Sequence, residues 1–525
     1  MSQNETLHGG WLSHPADSFE IQFYRPSFTL ILALLVPAAV ASLYFKEGED
    51  VSPKWPRLEA QKQKDFLTDG SKYLEDSKKM HSDDPFTMLT DRGMRTVFPA
   101  AIADVIRNMT SLRFSKSVAD EFHAGLTGFE PFAMLDNPTQ VLQRVVRKQL
   151  TQRLNSVVQP LSSEAVFAVH HIFGNSPDWR EIKIESSVSE LVARISSRVF
   201  LGEELCRHEK WLEITQSYTV ASFRAAAILR TYPRILRPLV NWFHPNVKVI
   251  RGTIAESRRI IGSLVERRQK LRAEAQANGL PVPTFNDAIE WAELEADGYP
   301  CDPAVFQLTL SFAAIRTTTD LLTQVMLRLA HEPENIEPLR KEMIEILQVD
   351  GWTKNALFKM KLLDSAIKEA QRLKPINMLE MRRMAVEDVT FPDGTLIRKG
   401  AHIAINNTSF SRAEVYEDYE KFDIYRFKRM RDEPGKEHTA QLVSTSLNHL
   451  SFGHGKFACP GRFFVSNKLK LALCHLLLKY DWKSTPGVSH DPLVLGTTIM
   501  HNPETSIQFR RRKEEIDLES LEIEE

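Results

Sequence analysis

The chain has little cysteine and almost no net charge. Only Cys206, Cys301, Cys459 and Cys474 occur in 525 residues, and no two stand at the short separation that zinc sites need. Such a sparse set excludes a disulfide-stapled secreted scaffold and indicates a body in a reducing compartment. The formal net charge of −1 gives no general attraction for nucleic acid or for an acidic ligand. We expect the cysteines other than Cys459 to be small buried apolar residues.

Residues 28–45, FTLILALLVPAAVASLYF, form an uncharged and apolar run long enough to approach a bilayer span, which takes about 17 to 25 residues. The preceding stretch is long and acidic, which favours a retained anchor over a cleaved signal peptide. Basic residues follow the run, so the positive-inside rule predicts a cytosolic body. We therefore expect a lumenal segment at 1–27, a transmembrane anchor at 28–45 and a basic, proline-containing hinge at 46–65.

Apolar residues at three and four spacing dominate the rest of the chain and predict a mainly α body with small β sheets. Residues 381–406 predict two strands around the turn at Pro392, Asp393 and Gly394. Residues 275–300 are rich in turn formers and predict a surface connection. We place the folded domain at 66–510 and expect the charge-rich tail, 511–525, to be disordered.

A glycine-rich loop surrounds Cys459, in the order Phe452-Gly453-His454-Gly455-Lys456-Phe457-Ala458-Cys459-Pro460-Gly461-Arg462, and a helical pattern follows at once. Glycines allow a bent backbone to approach a flat cofactor closely. A helix start offers free amides and a positive dipole end, which stabilise a thiolate. A buried free cysteine in a glycine turn is the simpler alternative, but it explains only one or two of these residues.

The loop resembles the haem-binding loop of the cytochrome P450 family, F-x-x-G-x-x-x-C-x-G, through Phe452, Gly455, Cys459 and Gly461. The resemblance implies a b-type haem with Cys459 as the axial iron ligand. Many members carry arginine or histidine two residues before the cysteine, where this chain has Phe457. We therefore expect Arg383 to bind a haem propionate, since a guanidinium can hold a carboxylate through two bonds.

Two further segments extend the resemblance. Glu369 and Arg372 match the family's E-x-x-R helix, and Arg426 takes the arginine position of F-x-P-x-R-F within FDIYRF, although Ile424 replaces the proline. The resemblance implies a buried structural triad of these three charged residues. A solvent-exposed ion pair of little energetic value is the alternative for Glu369 and Arg372.

Asp302 and Pro303 predict the start of a long helix that continues to Leu329. Its centre resembles the family's oxygen groove, A-G-x-D/E-T-T, through Ala313, Ala314 and Thr317, and this implies that Thr317 and Thr318 assist oxygen activation. Arg316 stands where the family has an acid, and an arginine is a poor proton donor. The alternative is that the threonines only bond back to their own helix.

The resemblance as a whole implies the cytochrome P450 fold preceded by one transmembrane helix, and a monooxygenase similar to fungal terpenoid oxidases of the ent-kaurene oxidase kind. Electrons would come from NADPH through a membrane-bound reductase, with cytochrome b5 as a further donor, at the endoplasmic reticulum membrane. A haem-thiolate isomerase or dehydratase, or a haem protein without turnover, remains an alternative. The substrate-pocket candidates are Ala313, Ala314, Ile376, Asn377, Met378, Leu379 and Met500. The reductase-docking candidates are Lys428, Arg429, Arg431, Lys456, Lys468 and Lys470.

Overall fold

The computed structural model describes residues 66–81, 84–407, 413 and 415–521. All of these residues belong to one compact unit. The predicted lumenal segment, anchor and hinge lie outside the described residues. No helix in the described part of the chain is long and apolar enough to cross a membrane.

Helices make up most of the described chain, as the periodicity predicts. The α-helices are α1 (Phe66–His81), α2 (Ile102–Ile106), α3 (Phe114–Glu121), α4 (Glu130–Met134), α5 (Val141–Arg144), α6 (Leu154–Phe173), α7 (Ile184–Phe200), α8 (Gly202–Leu205), α9 (Glu209–Arg230), α10 (Arg237–Phe243), α11 (Pro245–Ala277), α12 (Ala288–Ala296), α13 (Pro303–His331), α14 (Ile336–Asp350), α15 (Lys354–Lys359), α16 (Lys361–Leu373), α17 (Arg426–Asp432) and α18 (Arg462–Lys479). A π-helical turn covers Val145–Leu150, and 3-10 turns cover Arg234–Leu236, Pro333–Asn335 and Gly455–Phe457.

The strands are short and form small sheets beside the helices. They are β1 (Phe86–Thr90), β2 (Gly93–Phe98), β3 (Leu112–Arg113), β4 (Arg180–Lys183), β5 (Leu379–Ala385), β6 (Val389–Thr390), β7 (Leu396–Ile397), β8 (His402–Asn406), β9 (Tyr480–Ser484), β10 (Leu493–Leu495), β11 (Thr498–Met500) and β12 (Ser506–Arg511). The orders are β1-β2-β8-β5-β3, β4-β12-β9, β10-β11 and β6-β7. The β6–β7 pair encloses the predicted turn at Pro392, Asp393 and Gly394.

Helix α13 is the central element of the fold. Its N-terminus is capped as the sequence predicts, because the Asp302 carboxylate accepts hydrogen bonds from the amides of Ala304 (3.0 Å) and Val305 (3.2 Å). It packs against α7, α9, α11, α16 and α18, and most of its residues are buried. A helix that is buried on nearly every side must be apolar nearly all round, which explains its long apolar run.

Two predicted boundaries are wrong. The tail predicted to be disordered packs against the body as far as residue 521, since Leu518 is 1% exposed and its carbonyl accepts a hydrogen bond from Trp352 Nε1 at 2.9 Å. The predicted surface connection at 275–300 contains helix α12, whose Trp291 is buried. Both segments are polar in composition, and a few apolar side chains sufficed to anchor each one.

Candidate functional site

The loop before α18 places the Cys459 sulfur at a helix N-terminus. The Cys459 amide donates to the Phe452 carbonyl at 2.8 Å, and the Ala458 amide donates to the Gly455 carbonyl at 3.0 Å, which closes the loop on itself. Gly455 has φ +74°, and a Cβ there would lie 2.5 Å from Arg107 Cβ. The position therefore requires glycine for both backbone conformation and space.

The thiol of Cys459 has hydrogen-bond donors that the other cysteines lack. The backbone amides of Gly461 and Arg462 donate to it. Burial raises the pKa of the Cys459 thiol, whereas these amides and the Arg462 charge act to lower it. Burial also raises the pKa of Cys474, and it raises that of Cys206 to about 11. Cys474 is buried with its sulfur 3.7 Å from the Met360 sulfur, and Cys206 is also buried. These two are buried as the sequence predicts, whereas Cys301 is half-buried.

Arg383 lies beside the cysteine loop with unused donors. Its guanidinium is centred 5.2 Å from the Phe457 ring, and the side chain is 2% exposed. Nη1 donates to the Arg382 carbonyl at 2.9 Å, but Nε and Nη2 are buried without an acceptor among the described residues. Burial lowers the Arg383 pKa to about 10. Two buried charged donors without acceptors lower the stability of the fold. The space next to Arg383 therefore suits an anionic group that can accept hydrogen bonds from both.

The three charged residues of the predicted triad lie in direct contact. Glu369 is 0% exposed, and its carboxylate accepts from Arg372 Nε at 2.7 Å, from Arg372 Nη2 at 2.8 Å and from Arg426 Nε at 2.9 Å. Arg426 also donates to the Glu417 and Asp418 carbonyls. The triad thus ties helix α16 to α17 and to the segment that precedes α17. The alternative of a surface pair is excluded by burial.

The centre of α13 divides the two predicted catalytic threonines. Ala313 and Thr317 are exposed in the middle of this otherwise buried helix, whereas Thr318 is 1% exposed. Both hydroxyls donate to their own helix, Thr317 to the Ala313 carbonyl at 3.1 Å and Thr318 to the Ala314 carbonyl at 2.7 Å. The accessible face of the helix therefore carries Thr317, and Thr318 points into the protein interior.

Arg316 is engaged outside its own helix. Its guanidinium forms an ion pair with Glu185, the second residue of helix α7. One turn later Asp320 is bound by Lys374 Nζ at 2.7 Å, and its carbonyl contacts His501 Nε2 at 3.0 Å. Burial lowers the pKa of Lys374, whereas the negative charge of Asp320 acts to raise it. Both charged side chains in this part of α13 are therefore neutralised by partners from other elements.

The predicted pocket residues come from two segments that the fold joins. The Ile499 amide donates to the Ile376 carbonyl, and the Met378 amide donates to the Thr497 carbonyl, both at 2.8 Å. Asn377 also forms a bridge with Thr498. Ile376, Asn377, Met378 and Met500 are all half-buried, which suits side chains at the border of a pocket.

Leu379 is more deeply buried than these four residues. It is 3% exposed and packs in an apolar cluster with Phe66, Phe86 and Met88, and the half-buried Met378 packs against the same cluster. Its contribution to the pocket stays a prediction.

An aromatic cluster next to Ala313 escaped prediction from the sequence. Phe132 stacks on Phe122 with ring centres 4.2 Å apart and meets Phe312 at 4.9 Å, while Phe223 meets Phe122 at 4.8 Å. The members come from α4, α9, α13 and the end of α3. No local pattern marks them, because their proximity depends on how four helices pack.

The predicted docking residues separate into buried and exposed sets. Lys468 and Lys470 are 1% and 3% exposed, and Arg431 is 5% exposed. The prediction that these three residues contact a reductase is therefore wrong. Lys456 is exposed, as are Arg147 and Lys148 on the neighbouring π-helical turn, and Arg147 donates to the Lys456 carbonyl at 3.2 Å. A depression of about 290 Å³ lies here. Its lining residues are Arg147, Thr151, Gly455, Lys456, Ala458, Pro460, Arg462 and Phe463.

Comparison with known proteins gives a consistent result. The family model "Cytochrome P450" matches residues 136–509. The chain is 42% identical over 463 residues to cytochrome P450 monooxygenase eqxH of Fusarium heterosporum, covering 87% of this chain and 89% of that protein. It is 44% identical over 439 residues to cytochrome P450 monooxygenase 1 of Gibberella fujikuroi, covering 83% of this chain and all of that protein. The fold is similar to that of retinoic acid bound cyanobacterial CYP120A1, with a TM-score of 0.63, 17% identity, and coverage of 87% and 99% of the two chains.

Proposed function

The chain belongs to the cytochrome P450 family, and on that premise we propose that it hydroxylates an apolar secondary metabolite, specifically a terpenoid. Members of this family are oxidoreductases that use haem with an axial cysteine thiolate, and the relatives are monooxygenases. When bound, the haem supplies dioxygen binding and reduction, and its thiolate ligand increases electron density on the iron. The observation that carries the proposal is the Cys459 loop, with two amides donating to a sulfur at the start of α18.

The residues around Cys459 fit this cofactor. Cys459 is the proposed ligand, and Gly455 and Phe452 shape its loop through the contact with Arg107 and the bond to the Cys459 amide. Gly461 lies next to the sulfur, because a Cβ there would be 4.0 Å from Cys459 Sγ. Arg383 would bind a propionate through Nε and Nη2, the donors that have no other acceptor among the described residues. This assignment accounts for the departure at Phe457.

Thr317 is the residue of helix α13 that we assign to oxygen activation. Its hydroxyl is on the accessible face and can exchange its bond to the Ala313 carbonyl for a bond to water or to another small molecule in the groove. Thr318 is enclosed and serves the helix. Ala313 leaves space beside Thr317, which is what a groove for a small molecule requires.

An apolar substrate matches the walls that the described residues provide. The aromatic cluster of Phe122, Phe132, Phe223 and Phe312 adjoins Ala313, and Ile376, Met378 and Met500 are half-buried on the joined segments. Asn377 adds one polar side chain that can orient a substrate. Pockets of this kind bury most of a small ligand and select by shape with a few polar contacts.

The test is reconstitution of the full chain with a reductase in vesicles, supplied with terpenoid hydrocarbons, NADPH and isotopically labelled dioxygen. We expect a product that contains one labelled oxygen atom and one molecule of NADPH consumed per hydroxylation. Product formation without oxygen or NADPH would instead show the isomerase or dehydratase, for which the replacement of the usual acid by Arg316 is the supporting feature. Turnover of other apolar compounds but of no terpenoid would reject the substrate class alone.

We further propose that an NADPH-dependent reductase docks over the depression near Lys456. Replacement of Arg147, Lys148 and Lys456 by glutamine should slow haem reduction at low salt by about tenfold, because steering by exposed charges governs association. The effect should shrink as salt rises. Stopped-flow reduction measures it.

The control is replacement of Lys210, Lys270 and Lys341 by glutamine. These three are also exposed, and within the described part of the chain their ion pairs are with neighbours in their own helices. Equal reduction rates in both triple variants would place the docking surface elsewhere. Substrate-binding spectra should remain unchanged in both.

We also propose a single-pass anchor in the endoplasmic reticulum membrane, with the catalytic body in the cytosol. The support is the uncharged run at residues 28–45 and the basic residues that follow it. Deletion of residues 1–46 should release haem-loaded protein from membranes, as assayed by partition after an alkaline wash. Truncated protein that stays in the washed pellet would contradict a single anchor.

A further inference from the structure

Lys468 is a buried cation without a buried anion. It lies in helix α18, nine residues after Cys459, and is 1% exposed. Its ammonium donates to Ser196 Oγ at 2.9 Å and to the Ala314 carbonyl at 3.2 Å. Among the described residues, no carboxylate lies within ion-pair distance of it. Burial alone lowers its pKa, to about 7.

Lys470, two residues further along α18, has the buried anionic partner that Lys468 lacks among the described residues. It is also buried in α18, but its ammonium pairs with the Asp364 carboxylate at 2.7 Å and donates to the Leu357 carbonyl at 2.9 Å. A buried charge normally has such a partner, since desolvation is otherwise uncompensated. A buried cation that lacks one lowers stability, and costly groups of this kind concentrate at functional sites.

The Ala314 carbonyl that Lys468 contacts lies at the centre of helix α13. In a regular helix this carbonyl accepts the amide of residue 318, and here the Thr318 hydroxyl donates to it as well, at 2.7 Å. Lys468 adds a further donor to an oxygen that has two lone pairs. Side chains inserted into the helical bonding ladder weaken it locally and bend the helix. The turn of α13 that receives this extra donor contains Thr317.

The helix itself brings no free acid to this place. Arg316 occupies the position next to Thr317 and pairs with Glu185. Asp320, the one carboxylate within α13, is bound by Lys374. A positive, proton-bearing group beside the groove must therefore come from another element, and Lys468 is in contact with the groove backbone.

We propose that Lys468 is a positioning residue for oxygen activation. Through the Ala314 carbonyl it loosens the turn of α13 around Thr317, so that the threonine hydroxyl and water can turn toward the groove. Its ammonium also places a positive charge beside the groove, where it stabilises negative charge that develops there. The inference rests on the proposed monooxygenase function and adds to it a residue from helix α18.

The first test is independent of turnover. In haem-loaded protein, Lys468→Met should slow amide hydrogen exchange of a peptide spanning residues 312–320, because the helical bond at Ala314 loses its competitor. The melting temperature should stay equal or rise, since an uncompensated buried charge has been removed. Lys470→Met is the matched control and should lower the melting temperature, because Asp364 loses a buried partner, without slowing exchange in that peptide.

The second test measures coupling, the fraction of NADPH electrons that appears in product and not in hydrogen peroxide. We expect Lys468→Met to lower coupling about tenfold, less than the ~100- to 10,000-fold effect of a group that transfers the proton itself, because Lys468 acts through helix α13. Lys470→Met should couple like the wild type. Faster exchange and a lower melting temperature in Lys468→Met, or wild-type coupling, would overturn the proposal and leave a structural lysine.

The variant Thr317→Ala distinguishes failure of the monooxygenase assignment from failure of the role proposed for Lys468. If it uncouples the reaction while Lys468→Met does not, the monooxygenase assignment stands and the role of Lys468 is rejected. If the wild type forms no oxygenated product with any terpenoid, the substrate proposal fails, and the exchange and melting results still decide the role of Lys468 in the helix.

Discussion

Replacement of Cys459 by alanine should abolish the absorption band that thiolate-ligated haem shows in its reduced carbon monoxide complex. Cys459 is the cysteine whose sulfur receives backbone amide bonds at a helix start, from Gly461 and Arg462. Alanine keeps the hydrogen bond from the residue 459 amide to the Phe452 carbonyl. Loss of the band would therefore result from removal of the sulfur ligand and not from a change in the loop conformation. Product formation should fall to background with the band.

Cys474→Ala is the matched control for this experiment. Cys474 lies in the same helix region, is 0% exposed, and contacts the Met360 sulfur at 3.7 Å. Its loss removes one buried sulfur and should cost about 1 kcal/mol of stability, with the carbon monoxide band unchanged. A band retained in Cys459→Ala, or lost only in Cys474→Ala, would refute the assignment of the ligand.

Truncation of Glu369 should remove the folded, haem-loaded protein almost entirely. Glu369→Ala leaves the Arg372 guanidinium, itself 1% exposed, and that of Arg426, 7% exposed, without their shared carboxylate. Breaking a buried charge pair in this way costs about 3 to 5 kcal/mol, which is a large part of the stability of most domains. Haem content per protein and the thermal unfolding midpoint measure the effect.

The chain offers a control pair with the same spacing and opposite charges, in which a lysine takes the place of the arginine. Lys210 and Glu213 also stand three apart on a helix with a 2.8 Å bond, but their side chains are 50% and 65% exposed. Glu213→Ala should change stability by no more than about 1 kcal/mol. If Glu369→Ala retained normal haem content and a wild-type midpoint, the buried triad would not have the structural role we assign to it.

Local sequence determined those parts of the site that lie within one element or one turn. The cysteine loop is specified by glycines at fixed offsets, and Gly455 is required by its backbone conformation and its contact with Arg107. The Asp302 cap and the Glu369–Arg372 pair depend on spacings of two to three residues within one helix. The helical periodicity likewise predicted the mainly α fold.

Spacing alone could not decide which charged residues are exposed. From the sequence we predict all of Lys456, Lys468 and Lys470 to be exposed docking residues. Of these three only Lys456 is exposed, because α18 is enclosed by other helices. Thr317 and Thr318 are adjacent letters of one motif, yet a rotation of about 100° along the helix puts one on the accessible face and one in the interior. Burial depends on packing partners that are distant in sequence.

The sequence by itself thus determined the chemistry that is available, a thiol at a helix start, a threonine on the long helix and a charged triad. Only the tertiary structure decided which groups act together. It paired Arg316 with Glu185, left two donors of Arg383 without acceptors among the residues that the structure describes, and brought Lys468 to the Ala314 carbonyl. The physical reason is that short-range spacing fixes backbone conformation, whereas desolvation and pairing are set by contacts across the whole fold.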